Sequence, residues 1–371
     1  MKKNVLFISE LSGNLWAGPN NSVPEQVRAQ SRIDNVFWYN INDVCREEWK
    51  QDGLNCQCLK DFPNGRLGDL PEPFNRPDIA IVEGFYSYFH SKIIHDLQRN
   101  GIPYIIVPRS QLTELAQKNK WIKKKIANAL FFNSMVKKSA AIQYLTEQEK
   151  QESIGRWKHE NFVVPNGIYL PENKVASMQS QAIRATYIGR VEIYQKGLDM
   201  LLEAIVDIQN LLRENKFQLS IYGPNIDGAK EYLEHIVSNN GINDIVCVKD
   251  AVIKAEKENV LLDTDLFVMS SRFEGLPMGL IEALAYGIPS LVTNGTNMAD
   301  KIEEYDAGWS CGTSTLEIEN ALKAMLNEKD KLLTYKSNAV QLAKLYSWES
   351  IAEETHSILT EILVKRERTI R

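Results

Sequence analysis

Short runs of β-branched and aromatic residues alternate along the chain with longer stretches in which apolar residues recur every three or four positions. In the first half the runs cover residues 4–10, 35–41, 79–84, 104–110, 140–146 and 161–164; in the second, 185–189, 217–223, 244–249, 265–271 and 289–293. Between them, steps such as Leu201, Ile205, Ile208 and Leu212 have helical period. The runs are apolar almost throughout, the mark of strands buried on both faces. Alternating with helices, they predict an α/β protein built on parallel sheets.

The stretch VPNGIYLPENKVASMQSQ, residues 164–181, breaks the pattern with two prolines, a glycine and a polar tail, and reads as a linker. It predicts two doubly wound, Rossmann-like domains facing a cleft: residues 1–170, completed by a C-terminal crossover helix from 346–371, and residues 171–345. In such open sheets ligands bind beyond the carboxyl ends of the strands, which places the expected site in that cleft.

Length and composition narrow the class. A chain of 371 residues suits two ordinary domains, and 44% hydrophobic with 25% charged residues is globular. A formal net charge of −5 argues against a general nucleic-acid binder. The five cysteines are scattered; Cys56 and Cys58 alone are close, with no His or second Cys pair beside them, so reduced thiols are expected. The apolar start of the chain breaks at Ser9-Glu10, too early for a secretory core. No segment offers the roughly 20 apolar residues of a membrane span. A cytoplasmic protein, at most peripheral to a membrane, is expected.

Candidate chemistry concentrates in two stretches. In SRFEGLPMGLIEALAYGIP, residues 271–289, a strand ends, a loop carries Glu274, and a helix is predicted to begin near Pro277 and stop at Gly287. The N–H groups at such a helix start attract an anion. Glu282 lies inside the helix, where Met278, Gly279, Ala285 and Tyr286, its neighbours three and four away, offer no cation. Either it reaches solvent, or hydroxyls of a sugar or ribose satisfy it. In ATYIGRVEIYQKGLDMLLEAI, residues 185–205, Arg190 follows a strand end at Gly189 and Lys196 precedes a helix. They are solvated loop cations or, projecting from the carboxyl edge, a fork and a point charge suited to a diphosphate.

Gly-Arg…Lys-Gly followed by Glu-Gly-Leu-Pro-Met-Gly-Leu-Ile-Glu-Ala resembles the retaining glycosyltransferases of GT-B fold, the family 4 group that uses nucleotide sugars. Glu274 and Glu282 meet its spacing of two acids eight apart. Further along, AGPNNSV (17–23) resembles the group's N-terminal glycine loop, VPRSQLTELA (107–116) its Pro-His-Gly segment, YGIPSLVTNGTNMADKI the strand and loop after the second acid, and YSWESIAEE the crossover helix. The resemblance implies that Glu274 contacts the donor sugar, that the backbone of Gly275, Leu276, Pro277 and Met278 holds sugar and phosphates, and that Glu282 takes the ribose hydroxyls. It implies that Arg190 and Lys196 neutralise the diphosphate beside Gly189. The usual His is Arg109 here, left to serve the phosphate or the transferred sugar, and Ser110 stands where glycine is commoner. Ala17 replaces the first glycine of the loop, leaving Gly18 for close backbone approach. Ser22 and Glu25 are spaced as a capping box opening the next helix.

The reading is a retaining hexosyltransferase that moves a sugar from a nucleoside-diphosphate sugar, by family frequency a UDP-sugar, to a hydroxyl of a glycan or lipid-linked oligosaccharide in cell-surface polysaccharide synthesis. The first domain would present the acceptor and the second bind the donor. No cofactor and no metal are expected: Asp263-Thr-Asp265 copies a metal-binding pattern but precedes its strand, and His90 and His95 lack further ligands. Residues 118–138 interleave seven lysines with aromatic and aliphatic residues. They form an ordinary helix packed on its own domain, a surface for anionic lipid, or both. The same fold also serves non-catalytic partner subunits, nucleotide-sugar sensors and nucleotide-sugar epimerases. These separate by whether donor is turned over, and whether a free epimer forms without acceptor.

Overall fold

The computed structural model describes residues 2–370 apart from 15–17, 55, 88–89, 114–115, 118–120, 156, 173–175 and 177–181. It divides into two compact units, Met1–Gly167 with Trp348–Arg371, and Ile168–Ser347. Ala17 of the glycine loop and residues 173–175 and 177–181 of the expected linker lie outside the described residues.

Unit 1 holds a seven-stranded parallel sheet: β1 (Asn4–Ser9), β2 (Asn35–Asn40), β3 (Cys56–Cys58), β4 (Ile79–Glu83), β5 (Tyr104–Val107), β6 (Ala141–Tyr144) and β7 (Asn161–Val163), in the order β3-β2-β1-β4-β5-β6-β7. Alternate residues of each strand feed opposite cores. Leu6, Ile8, Phe37, Tyr39, Ala80, Val82 and Ile106 pack on one face. Val5, Phe7, Trp38, Ile79, Ile81, Ile105 and Val107 pack on the other. Both faces being covered is why the strands read as unbroken apolar runs. The helix Trp348–Ile370 completes the unit: Trp348, Ile351 and Ala352 pack with Ala29 and Val164, and Leu359 joins the β1 core.

Unit 2 holds a six-stranded parallel sheet: β8 (Ile183–Ile188), β9 (Phe217–Tyr222), β10 (Val246–Lys249), β11 (Leu266–Met269), β12 (Ser290–Thr293) and β13 (Gly308–Cys311), ordered β10-β9-β8-β11-β12-β13. Here too alternation sorts the side chains, Leu266 and Val268 to one core and Phe267 and Met269 to the other.

β3 and β13 were not among the expected strands. Both are edge strands of three and four residues, and Cys-Gln-Cys and Gly-Trp-Ser-Cys carry no continuous apolar run because an edge needs none. The strand order reverses between β1 and β4 in unit 1 and between β8 and β11 in unit 2. Loops leaving the two strands at such a point diverge and open a crevice.

Candidate functional site

In unit 2 the reversal point is built by the loops after β8 and β11. Glu192 caps the short helix Ile193–Lys196, accepting from Tyr194 N at 3.2 Å and Gln195 N at 2.8 Å. Gly197 ends it at φ +62°, where a Cβ would stand 2.1 Å from Ser270 O; the Lys-Gly pair thus reflects both a left-handed turn and a close approach of the β11 loop. Ser270 Oγ donates to Lys196 O at 3.0 Å, and Arg272 N to Gln195 O at 2.8 Å.

This lacing brings together two residues 78 apart in sequence. Lys196 Nζ lies 2.5 Å from Glu274 Oε1, with both residues buried. Ser271 Oγ donates to the same oxygen at 2.7 Å, and Asn297 Nδ2 holds Glu274 O at 2.5 Å. Under this pair Tyr187 donates to Arg190 O at 2.9 Å; burial, then the Glu274 charge, push its phenol well above the ordinary range, so it stays protonated. Gly189 follows β8, and Arg190 is exposed with Nη2 on Gln195 Oε1 at 3.0 Å.

Glu274 and Glu282 are therefore not without cations. Glu282, half-buried in the helix Met278–Ala285, forms an ion pair with Lys257 of the helix Lys254–Leu262. The partner of Glu282 comes from a different helix, brought beside it by tertiary packing, and so leaves no trace in the sequence of its own helix. Pro277 caps the helix Met278–Ala285, and Met278 N is bonded to Leu276 O at 3.0 Å, tightening the Gly275–Met278 turn. Gly279 packs against β8, where a Cβ would come 2.7 Å from Ile188 O. Asp263 and Asp265 both pair with Arg184, Asp265 Oδ2 at 2.8 Å from its Nε, ahead of β11.

In unit 1 the helix after β1 is Pro19–Ile33, with Gly18 at its N-cap, four residues earlier than a capping box at Ser22 requires. Pro19 starts it, Ser22 Oγ donates to Gly18 O at 3.2 Å, and Glu25 pairs with Arg28. Pro24, inside the helix, leaves Asn20 O without its helical donor; Trp49 Nε1 supplies one at 3.2 Å. Gly18 is exposed with open space beside its Cα, so a ligand has room against its backbone.

Arg109 and Ser110 both have positive φ, +49° and +64°, which explains why glycine suits the second position. The Arg109 guanidinium is turned inward. Nε donates to Glu83 Oε2 at 2.6 Å, Nη1 to Ser22 Oγ at 3.0 Å and Asn166 Oδ1 at 3.4 Å, and Nη2 to Gln26 Oε1 at 3.0 Å. Glu83, at the end of β4, is buried; burial pushes its carboxyl up while Arg109 pulls it back. The acid closing the apolar run IAIVEG was the one available signal for it. His90 is also buried, and burial brings its pKa down to about 4.

The basic segment forms helices Trp121–Ala127 and Asn133–Lys138 joined by a π turn, Asn128–Phe132. Phe132, Met135 and Val136 pack into unit 1, whereas Trp121, Ile122, Ile126 and Leu130 are 59, 57, 56 and 80% exposed. All five cysteines are free. Among the described residues no cluster of three or more His, Cys, Asp or Glu is arranged for a metal, and no helix is long and apolar enough to cross a membrane.

Residues 173–342 match the family model of glycosyl transferases group 1. An uncharacterized glycosyltransferase of Haemophilus influenzae is 24% identical over 220 residues, 58% of this chain and 60% of that protein, so the chain spans less than two thirds of that relative. The alpha-D-kanosaminyltransferase of Streptomyces kanamyceticus is 23% identical over 305 residues, 77% of this chain and 76% of its own. The crystal structure of Anabaena HepE in complex with UDP and glucose shares the fold with a TM-score of 0.64 at 15% identity, covering 97% of this chain and 100% of that one. The chain has the GT-B fold of solved glycosyltransferases, and its residues 173–342, which hold Lys196, Glu274 and Glu282, carry the group 1 glycosyltransferase pattern.

Proposed function

We propose that the chain is a retaining glycosyltransferase that moves a sugar from a nucleoside-diphosphate sugar, a UDP-sugar first among them, to a hydroxyl of a glycan or lipid-linked acceptor. The observation that carries this reading is the buried Lys196–Glu274 pair at the reversal point of unit 2, within the segment that matches the family model. An ammonium has three donors and Glu274 occupies one, leaving two for phosphate oxygens. Glu274, oriented by Lys196 and Ser271 through Oε1, keeps Oε2 for donor-sugar hydroxyls. Arg190 adds a second positive charge from the β8 loop. Glu282, with Lys257 beside it, takes the ribose, and the turn 275–278 takes sugar and phosphates.

The chemistry follows from what these groups do. The anomeric C–O bond to the diphosphate breaks as the acceptor oxygen approaches on the same face. The acceptor proton passes to the departing phosphate oxygen, whose charge Lys196 and Arg190 stabilise. With two cations on the leaving group, the reaction needs no metal. Unit 1 binds the acceptor. The HepE complex with UDP and glucose supports the choice of donor class.

The experiment is nucleotide release from UDP-, GDP- and ADP-sugars, with product anomers followed by NMR. Retention with release that vanishes in Lys196→Ala supports the reading, and inversion refutes the mechanism. Tight donor binding without turnover indicates a sensor or partner subunit instead, and a free epimer indicates an epimerase. The exposed stripe of Trp121, Ile122, Ile126 and Leu130, flanked by the exposed Lys123 and Lys125, favours peripheral attachment to an anionic membrane, where a lipid-linked acceptor would lie.

A further inference from the structure

Three of the five free cysteines meet at the β3 edge of unit 1. Cys56 and Cys58 lie two residues apart on β3, and so on one face of the strand. Cys45 stands in the loop after β2. With Asp43, Lys50 and Asp61 they are among the residues that line a crevice of about 220 Å³. Cys56 and Cys58 are each 3% exposed, whereas Cys45 is half-buried, which makes it the thiol that a small molecule meets first. Ten residues separate Cys45 from Cys56. Within that span Trp49 is buried against Trp38, ring centroids 5.3 Å apart, and pins the turn Glu47–Gly53 to the unit. The neighbours of Cys45 are anchored as well: Val44 O accepts from Asn40 Nδ2 at 2.7 Å, and Arg46 Nη1 donates to Gly13 O at 2.7 Å. Cys45 is thereby held over β3.

We propose that Cys45 is a site of oxidation by small hydroperoxides and that Cys56 resolves it to an intramolecular disulfide. In the neutral pair Cys45 Sγ donates weakly to Cys56 O at 2.9 Å. When Cys45 ionises, the Cys56 thiol donates to its sulfur. That bond is the largest influence on Cys45 and lowers its pKa; burial opposes it, Lys50 reinforces it, and Asp61 and Glu47 oppose it. The same bond, then burial, push the Cys56 thiol up, and Cys58 is raised chiefly by burial. Cys45 is therefore the thiolate of the three, and the thiolate is the nucleophile. It attacks one oxygen of hydrogen peroxide, the O–O bond breaks, and the departing oxygen takes up the proton lost on ionisation and leaves as water. Cys45 is then a sulfenic acid, oxidised by two electrons. With the thiolate charge gone, the bond that kept Cys56 protonated no longer holds. Cys56 sulfur attacks Cys45 Sγ, the S–O bond breaks, and hydroxide leaves with the Cys56 proton as a second water. Cys56 is chosen over Cys58 because its thiol already touches Cys45.

The test uses the full chain, reduced and then treated with hydrogen peroxide. Remaining thiols are blocked with N-ethylmaleimide, and peptides are mapped by mass spectrometry without reduction. A peptide linked through Cys45 and Cys56 should form, and Cys58→Ser should leave its yield unchanged. In Cys56→Ser the sulfenic acid has no resolving thiol, so dimedone should label Cys45 about tenfold more than in the wild type. Should Cys56→Ser not fold, the wild type decides alone: its Cys45 should be oxidised faster than Cys247, which is the more exposed of the two. Cys45 oxidised no faster than Cys247 overturns the site. A link from Cys45 to Cys58, or a Cys45–Cys56 yield that collapses in Cys58→Ser, overturns the resolving role of Cys56, as does dimedone labelling equal in Cys56→Ser and wild type.

Discussion

Replacing Lys196 by alanine strips a buried carboxylate of its cation. Lys196 is 8% exposed and Glu274 6%, and among the described residues Ser271 Oγ is then the one side chain left bonded to Glu274 Oε1. Removing one member of a buried ion pair costs about 3–5 kcal/mol, because the other charge stays desolvated. Unit 2 spans Ile168–Ser347, and for a unit of that size each kcal/mol moves the midpoint by about 2–4 °C. The low end of the range, about 3 kcal/mol, therefore lowers the unit 2 transition by roughly 6–12 °C in scanning calorimetry. The double variant Lys196→Met with Glu274→Gln has no buried charge and should recover most of that loss. Its turnover should not recover, since a preorganised contact to a departing charge is worth about 2.7–4 kcal/mol, or 10²–10³ in kcat. The discriminating result is stability restored with activity absent. If single and double variants melt together, the pair is not electrostatically buried. If Lys196→Ala turns over donor at the wild-type rate, the leaving-group role is wrong.

Three further outcomes follow from the geometry. Gly279→Ala places a methyl 2.7 Å from Ile188 O and should cost about 1–3 kcal/mol by overpacking, read as a lowered denaturation midpoint in urea. His90 is buried with a pKa of about 4 against an ordinary 6.5, so the unfolded chain takes up a proton that the fold refuses between those values. Its contribution is complete above pH 6.5 and fades as pH falls toward 4, by about 3 kcal/mol in all; His90→Phe should flatten that part of the profile, and an unchanged slope refutes it. Trp121→Ser with Ile126→Ser and Leu130→Ser should abolish sedimentation with phosphatidylglycerol vesicles while leaving the melting curve within about 2 °C, as the three side chains are mostly exposed. Vesicle binding equal to wild type would dismiss the membrane surface.

How much was legible depends on how local the cause is. Strands such as Ile79–Glu83 and Leu266–Met269 announce themselves because burial on both faces leaves an unbroken apolar run. β3 and β13 escape because an edge strand of three or four residues needs no such run. Gly197 and Gly279 were readable as motif positions, and the structure supplies the reason, backbone atoms too close for a Cβ. Pairings were not readable. Lys196 and Glu274 stood out separately, but only the adjacency of β8 and β11 joins them, and Lys257 reaches Glu282 from another helix. Arg109 drew notice as a departure from a family pattern. That its guanidinium serves Glu83 follows from the side-by-side ends of β4 and β5.

Unit 1 takes its residues from both sides of unit 2 in the chain, and that interruption has a consequence for birth on the ribosome. Residues 168–347 can finish folding while Ala29 and Val164 still wait for Trp348, Ile351 and Ala352. At 5–20 residues per second, the roughly 200 residues separating Gly167 from the end of the final helix take about 10–40 s to appear. Through that interval the nascent first unit carries an uncovered greasy seam. A stalled or truncated polypeptide lacking the final helix should therefore engage chaperones or precipitate, even though its second unit is already native.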